Sequence, residues 1–174
     1  PGSYIIKARV QVLRDYGAAM SPFNAFLFVQ GLETLSLRME RHNENALKVV
    51  EYLAQHPQVE RIQHASRPDS KWHAQANEIT GGKGYGSVPA FIIAGGREAG
   101  ARFVEGLTLH HHVANLGDVR SLVIHPSSTT HSQLSDEEQR QAGVDPGLVR
   151  LSVGIETIDD LIADLDRGFA AAKG

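Results

Sequence analysis

The stretch Val149-Arg150-Leu151-Ser152-Val153-Gly154-Ile155-Glu156 sets one arginine at the start of an otherwise apolar, strand-like run. The pattern predicts a β-strand over 148–153, and so apolar a strand must be covered by other elements. An arginine there is costly to bury without an anionic partner, and its planar fork of donors matches a carboxylate through two parallel hydrogen bonds. Arg150 is therefore a candidate anion receptor. On position alone, the plainer account is a surface arginine whose stem packs on apolar neighbours.

The remaining segments supply the cover. Residues 4–16 carry Ile6, Val10 and Leu13 near helical spacing, with Gly17 as the stop. Ser21-Pro22 gives an N-cap followed by proline at the first helical position, and Phe23, Phe26, Leu27 and Leu35 predict a buried helix to about Met39. A second, amphipathic helix is expected from Glu44 to Gln55, ending before His56-Pro57. Short strands are expected over 59–62, 88–93, 107–113 and 121–124, with Pro89 pushing the second towards an edge or its first residues. Residues 66–86 are polar and glycine-rich, a loop with one helical turn around His73 to Asn77. Helices are expected from Arg97 to Gly106, from the capping box at Ser135 through Ala142, and at the end, where Ile158, Leu161, Ile162 and Leu165 share one face. Alternating helices with few, short strands predict an α/β fold with an antiparallel or mixed sheet covered by helices.

Composition narrows the function classes. The 174 residues, 41% hydrophobic and 21% charged, suffice for a single core. With 17 basic and 20 acidic residues intermixed, no basic stripe is available, and no nucleic-acid partner is expected. No apolar run approaches the ~20 residues that span a bilayer. The first residues, from Pro1-Gly2-Ser3 onward, lack the regions of a signal peptide, so no membrane partner is expected. Zero cysteines exclude disulfides and thiolate metal sites and fit a cytoplasmic protein. Of His110-His111-His112, alternate residues of a strand face the same way, so only His110 and His112 could share an ion, and no carboxylate is spaced to complete the set. No metal site is expected. Gly81, Gly82, Gly84 and Gly86 lack the spacing and the Ser/Thr of a phosphate loop and fit a flexible surface loop.

Several other motifs join the arginine run: Asn115-Leu116-Gly117-Asp118-Val119-Arg120-Ser121-Leu122, His125-Pro126, Thr129-Thr130-His131, Lys7-Ala8-Arg9, Ser21-Pro22-Phe23-Asn24-Ala25-Phe26 and Gly31 through His42. Together they resemble the C-terminal part of the Cys/Met-metabolism family of pyridoxal-phosphate enzymes, most closely its O-acetylhomoserine sulfhydrylases. The resemblance implies the small C-terminal domain of the aspartate-aminotransferase-like (type I) fold, with helices on one face of a small sheet. It also implies a division into residues 1–20, a connecting helix from a large cofactor-binding domain, and 21–174, the domain that binds the substrate's carboxylate.

The same resemblance implies the site residues. The arginine at this point of the motif, Arg150, binds the α-carboxylate of an amino-acid substrate, fixing it relative to the cofactor ring. The position of Asn115, often serine in a Ser-Leu-Gly-Gly form, helps bind the same group, although an asparagine before Leu-Gly is most simply a turn residue. Thr129, Thr130 and His131 fall near the active-site entrance as a possible wall, although bonding to the backbone of their own loop is the simpler role. The family's imine-forming lysine lies in a Ser-x-Thr-Lys-like context on the large domain. Lys7, Lys48, Lys71, Lys83 and Lys173 have no such context, so no catalytic residue is expected here and pyridoxal phosphate would be held mainly by the other domain. The implied activity is a transferase step of methionine biosynthesis, replacing the γ-acetoxy group of O-acetylhomoserine with sulfide to give homocysteine, in a homotetrameric parent. Methionine γ-lyase and cystathionine γ-synthase share the arginine anchor, and a non-catalytic stand-alone module is the reading from another class.

Overall fold

The structure is a computed structural model that describes residues 2–173, with Asp136 described by its backbone alone, and Pro1 lies outside it. Two compact units divide the chain, Pro1–Leu37 and Arg38–Gly174.

The first unit is helical. Helix α1 (Gly2–Lys7) runs through a π-helical segment (Ala8–Leu13) into α2 (Arg14–Tyr16), which Gly17 ends in the left-handed conformation at φ +62°. Helix α3 (Pro22–Glu33) opens as expected, with the Ser21 side chain accepting from the Asn24 N–H and proline at the first position. The expectation of burial is corrected: Phe23, Phe26 and Leu27 are 68%, 56% and 51% exposed, because none of the described residues covers this helix. The helix also breaks at Thr34, where the one predicted to continue to Met39 gives way to α4 (Leu35–Gln55). Helix α4 absorbs the separately predicted Glu44–Gln55 helix, since no glycine or proline interrupts it.

The second unit is a five-stranded sheet of β1 (Val59–Gln63), β2 (Ala90–Ile93), β3 (His111–His112), β4 (Leu122–Ile124) and β5 (Leu148–Ser152), in the order β1-β2-β5-β4-β3. Every pairing is antiparallel except β3 with β4, so the sheet is mixed. Successive strand residues point to opposite faces. One face carries Phe91, Ile93, Val123, Val149 and Leu151 into the core. There they meet α4 through Ala46, Val49 and Leu53, α6 (Gly96–Glu105) through Ala99 and Phe103, and α8 (Ile158–Ala172) through Leu161, Leu165 and Phe169. Phe103 packs edge-on against Phe91 and Phe169, with ring centroids 5.4 and 4.8 Å apart. The main helices thus cover one face, as expected. On the other face Ala90, Ile92 and Leu148 pack with Val144 from the segment after α7 (Asp136–Gln141).

Two further expectations change, and for Pro89 the start of its strand holds rather than the edge. The segment 66–86 holds an eight-residue helix, α5 (His73–Thr80), rather than one turn, ended by Gly81 at φ +61°. Pro89 immediately precedes β2, an interior strand; it needs no N–H there, and its carbonyl accepts from the Leu151 N–H. The strand expected over 107–113 shrinks to two residues because the N–H groups of Thr108 and His110 donate to the buried Asp164 carboxylate on α8 instead of to a ladder.

Candidate functional site

Arg150 lies in β5 with its neighbours fixed by register. It pairs with Ala90 on β2 and Ile124 on β4, so its side chain rises from the sheet face opposite the helical core. Both partners are apolar and neither neutralises it. The side chain is half-buried, and one guanidinium nitrogen donates to the Asn115 carbonyl at a long 3.4 Å. No ion pair to Arg150 forms among the described residues. A planar group with five donors that uses one of them weakly keeps an unfilled capacity for an anion.

Asn115 belongs to the loop between β3 and β4. Its side-chain oxygen accepts from the Leu116 N–H at 2.9 Å, the turn role, while its carbonyl faces Arg150. Gly117 turns the loop at φ +76° and donates its N–H to the Ser152 hydroxyl at 3.0 Å. The Ile155 N–H donates to the Val119 carbonyl at 2.9 Å and closes the loop against the end of β5. The structure therefore brings Asn115 and Arg150 together, with the backbone of Asn115 as the contact.

The end of β5 is clasped by a polar network to which the sequence reading assigned no role. From α4, the His42 Nδ1–H donates to the Val153 carbonyl at 2.6 Å, and Asn45 Nδ2 donates to the Gly154 and Glu156 carbonyls at 3.0 and 2.9 Å. The Glu156 carboxylate accepts from the Ser121 N–H at 2.6 Å and from its hydroxyl at 2.9 Å, and that hydroxyl accepts from the Gly154 N–H at 2.8 Å. Gly154 is confined: a Cβ there would lie 2.6 Å from the Ser121 nitrogen and collide with the Val119 carbonyl. Period-two spacing was the signal available for Ser152, which shares a face with Arg150 two residues earlier. The contacts of His42, Asn45 and Glu156 are set by chain segments far apart in sequence, and no local pattern announces them.

Thr129, Thr130 and His131 are held within their own segment. The Thr129 hydroxyl donates to the His125 carbonyl at 2.9 Å, the Thr130 hydroxyl meets His131 Nδ1 at 2.9 Å, and the His131 carbonyl accepts from Gln139 Nε2 at 2.7 Å. Their hydrogen bonds among the described residues stay within 125–139. Of the three consecutive histidines, His110 turns inward to Asp164 at 2.9 Å, whereas His111 and His112 are exposed. All five lysines are exposed; Lys48 pairs with Glu44 at 2.7 Å and Lys71 lies over the Trp72 ring. A lysine that forms an imine is activated by desolvation or a neighbouring cation, and none of these is buried. Among the described residues, Arg150 thus keeps donors available for an anion, and no lysine is desolvated.

The Cys/Met metabolism PLP-dependent enzyme family model matches residues 3–170. The chain is 54% identical over 166 residues to O-acetyl-L-homoserine sulfhydrylase of Corynebacterium glutamicum, covering 95% of this chain and 38% of that protein. It is 51% identical over 164 residues to the enzyme of the same name from Leptospira meyeri, covering 94% and 37%. Among solved structures, a putative O-acetylhomoserine (thiol)-lyase of Campylobacter jejuni bearing a pyridoxyl-lysine superposes with a TM-score of 0.83 at 39% identity, over 95% of this chain and 39% of its own. Cystathionine gamma synthase of Xanthomonas oryzae, in complex with cystathionine, superposes at 0.78 and 37% identity, over 91% and 40%. The chain therefore spans about two-fifths of the length of these relatives. A family model matching nearly the whole chain, relatives above 50% identity and a shared type I fold agree: this chain belongs to the Cys/Met metabolism family of pyridoxal-phosphate-dependent enzymes.

Proposed function

We propose that this chain is the carboxylate-binding part of an O-acetylhomoserine sulfhydrylase, a cytoplasmic transferase of methionine biosynthesis that exchanges the γ-acetoxy group of O-acetylhomoserine for sulfide, giving homocysteine and acetate. The carrying observation is Arg150, a half-buried guanidinium with one weak hydrogen bond and no ion pair among the described residues. The sulfhydrylases at 54% and 51% identity support this branch of the family.

Pyridoxal phosphate, when bound, supplies the electron sink for charge developing at the substrate's Cα. The residues here act on the substrate. Arg150 takes the α-carboxylate in a two-pronged contact, and Asn115 stands beside it with its Nδ2 in no hydrogen bond among the described residues. Fixing the carboxylate fixes the rotation about Cα and so would direct the Cα–H bond for the cofactor's chemistry, and such orientation is worth several orders of magnitude in rate. Thr129, Thr130 and His131 form part of the entrance wall.

The remainder of the parent supplies the cofactor-binding lysine and phosphate contacts, with residues 1–20 as the connecting helix and 21–174 as the small domain. The described helices of Pro1–Leu37 support a covering partner: none of α1 to α3 buries a residue, and α3 carries no charge before Glu33. A helix apolar all round is built to be enclosed, here by the larger part of the parent and by further copies in a homotetramer.

The test uses the full-length enzyme. O-acetylhomoserine with sulfide should give homocysteine faster than O-acetylhomoserine with cysteine gives cystathionine; the reverse order would favour a γ-synthase, which the Xanthomonas neighbour keeps in view. Arg150→Ala should lower kcat/KM by roughly thirtyfold to several-thousandfold, as expected when one partner of a desolvated charge pair is lost. Cofactor absorbance should be retained. Full cofactor with near-normal turnover in that variant would remove Arg150 from the site.

A further inference from the structure

Ser152 stands out on the sheet face that carries Arg150. That face is otherwise apolar around it: Leu122 is its cross-strand partner and is 3% exposed. Ser152 itself is 1% exposed. Packing alone would favour valine or threonine at a buried strand position, and a buried hydroxyl is unfavourable unless it is used. It is used once in the described contacts, accepting the Gly117 N–H at 3.0 Å.

The loop it holds has few other attachments. Among the described residues, hydrogen bonds from 114–118 to the sheet number two, Gly117 N–H to Ser152 and the Arg150 guanidinium to the Asn115 carbonyl. The remaining bonds of these residues are internal, from Asn115 to Val113, Leu116 to Asn115 and Arg120 to Asp118. The Arg150 tie is 3.4 Å long, at the weak end of the range, and it engages the group whose donors a carboxylate would recruit. When Arg150 turns to a ligand, the Ser152 tie is the one nearest Asn115; the next, from the Ile155 N–H to the Val119 carbonyl at 2.9 Å, lies four residues further along the loop.

We infer that Ser152 is a positioning residue of the carboxylate site: by holding Gly117 it fixes Asn115 beside Arg150, and so sets affinity for the α-carboxylate without touching it. This rests on the reading of Arg150 as the carboxylate receptor. Gly117 at φ +76° is the matching half of the device, since it presents its N–H to β5 in a conformation that other residues rarely adopt. One hydrogen bond between neutral groups changes an equilibrium by roughly two- to twelvefold.

The experiment compares full-length wild type, Ser152→Ala, Ser152→Thr and Arg150→Ala, with O-acetylhomoserine and with its α-carboxamide. Ser152→Ala should raise KM for the acid by about three- to tenfold, with kcat within about twofold. It should also narrow the preference for acid over amide by a similar factor. Threonine keeps the hydroxyl and suits a strand, so Ser152→Thr should restore both values. A purely structural serine would lower the thermal midpoint or cofactor occupancy and affect acid and amide alike, and that result overturns the inference. If Ser152→Ala does not accumulate, Ser152→Cys, of similar size with a much weaker acceptor, should show the same loss of preference, and a full preference there is equally fatal. Arg150→Ala separates the two levels. A normal acid preference in Arg150→Ala removes the site itself, whereas a lost preference there with a normal Ser152→Ala removes only the role of Ser152.

Discussion

Replacing Asp164 by alanine should be among the most damaging single changes to this small domain. Its carboxylate is fully buried on α8 and gathers the chain between α6 and β3. One oxygen accepts the Thr108 N–H at 2.8 Å, the Thr108 hydroxyl at 2.9 Å and Arg167 at 3.3 Å; the other accepts the His110 N–H at 3.0 Å and His110 Nδ1–H at 2.9 Å. Alanine leaves the two backbone N–H groups and the imidazole without an acceptor, and each buried orphan costs about 1–3 kcal/mol. Relaxation of the 107–110 segment limits the sum, so the expected loss is about 3–5 kcal/mol, the range for breaking one side of a buried pair. Against a total of roughly 5–15 kcal/mol, that removes a large part of the stability. Asp164→Asn keeps one acceptor oxygen but turns an NH2 towards the remaining donors, so it should fall between wild type and alanine. Urea titrations followed by circular dichroism at pH 7 measure all three. A loss below about 1 kcal/mol in Asp164→Ala would refute the claim that these bonds, rather than packing around α8, hold the segment. The pH effect has a definite sign: burial raises the Asp164 carboxyl, but the His110 side chain, the His110 and Thr108 amides and that of Leu109 outweigh it and hold it well below the usual range. Its contribution is present above about pH 4 and fades only as pH falls further, through the lowered folded value.

Gly154→Ala should cost about 1–3 kcal/mol in a urea titration, as for overpacking, because the new methyl meets the Glu156 carboxylate, which Ser121 holds in place, and backbone at the Ser121 nitrogen and the Val119 carbonyl, which cannot swing aside. His125 is fully buried, and burial lowers its pKa, against the hydrogen bond to the Pro146 carbonyl and with Arg97 and His112 adding to the lowering. The unfolded chain therefore binds its proton first, and stability should fall as pH drops below about 6.5. His125→Asn should flatten that decline without abolishing it, since burial also lowers His56 and His64; an unchanged slope would exclude His125 as a cause.

What the sequence revealed depended on the range over which each signal acts. Arg150 was visible because a charge inside an apolar strand is anomalous within eight residues. The Ser135 capping box and the Ser21-Pro22 helix start were visible for the same reason, and both formed. The strand over 107–113 failed because its competitor, Asp164, lies more than fifty residues away, and no local pattern announces that two amides will turn to it. Helix α3 failed differently. Its apolar residues signal a need for burial, but none of the described residues supplies the cover, so apolarity was legible and its partner was not.

That contrast extends to the buried and half-buried polar groups. Asn45, Ser121, Glu156 and Asp164 bring together chain segments far apart in sequence, and each has found its partners inside the fold. Such groups make one arrangement of the loops better than its neighbours, and their removal should read out as stability. Arg150 and Asn115 differ because, among the described residues, donors remain on both without a partner. A half-exposed guanidinium loses part of its hydration without full protein compensation, a cost of up to a few kcal/mol that folding alone does not return. On the proposed reading an anion docking at Arg150 would return it, and the face that would receive the anion is held in shape by the hydrogen-bonded network at the end of β5. Substitutions in the network should therefore act on substrate binding in proportion to how far they loosen the 115–119 loop. Those at Arg150 should act on it directly, with the fold left standing.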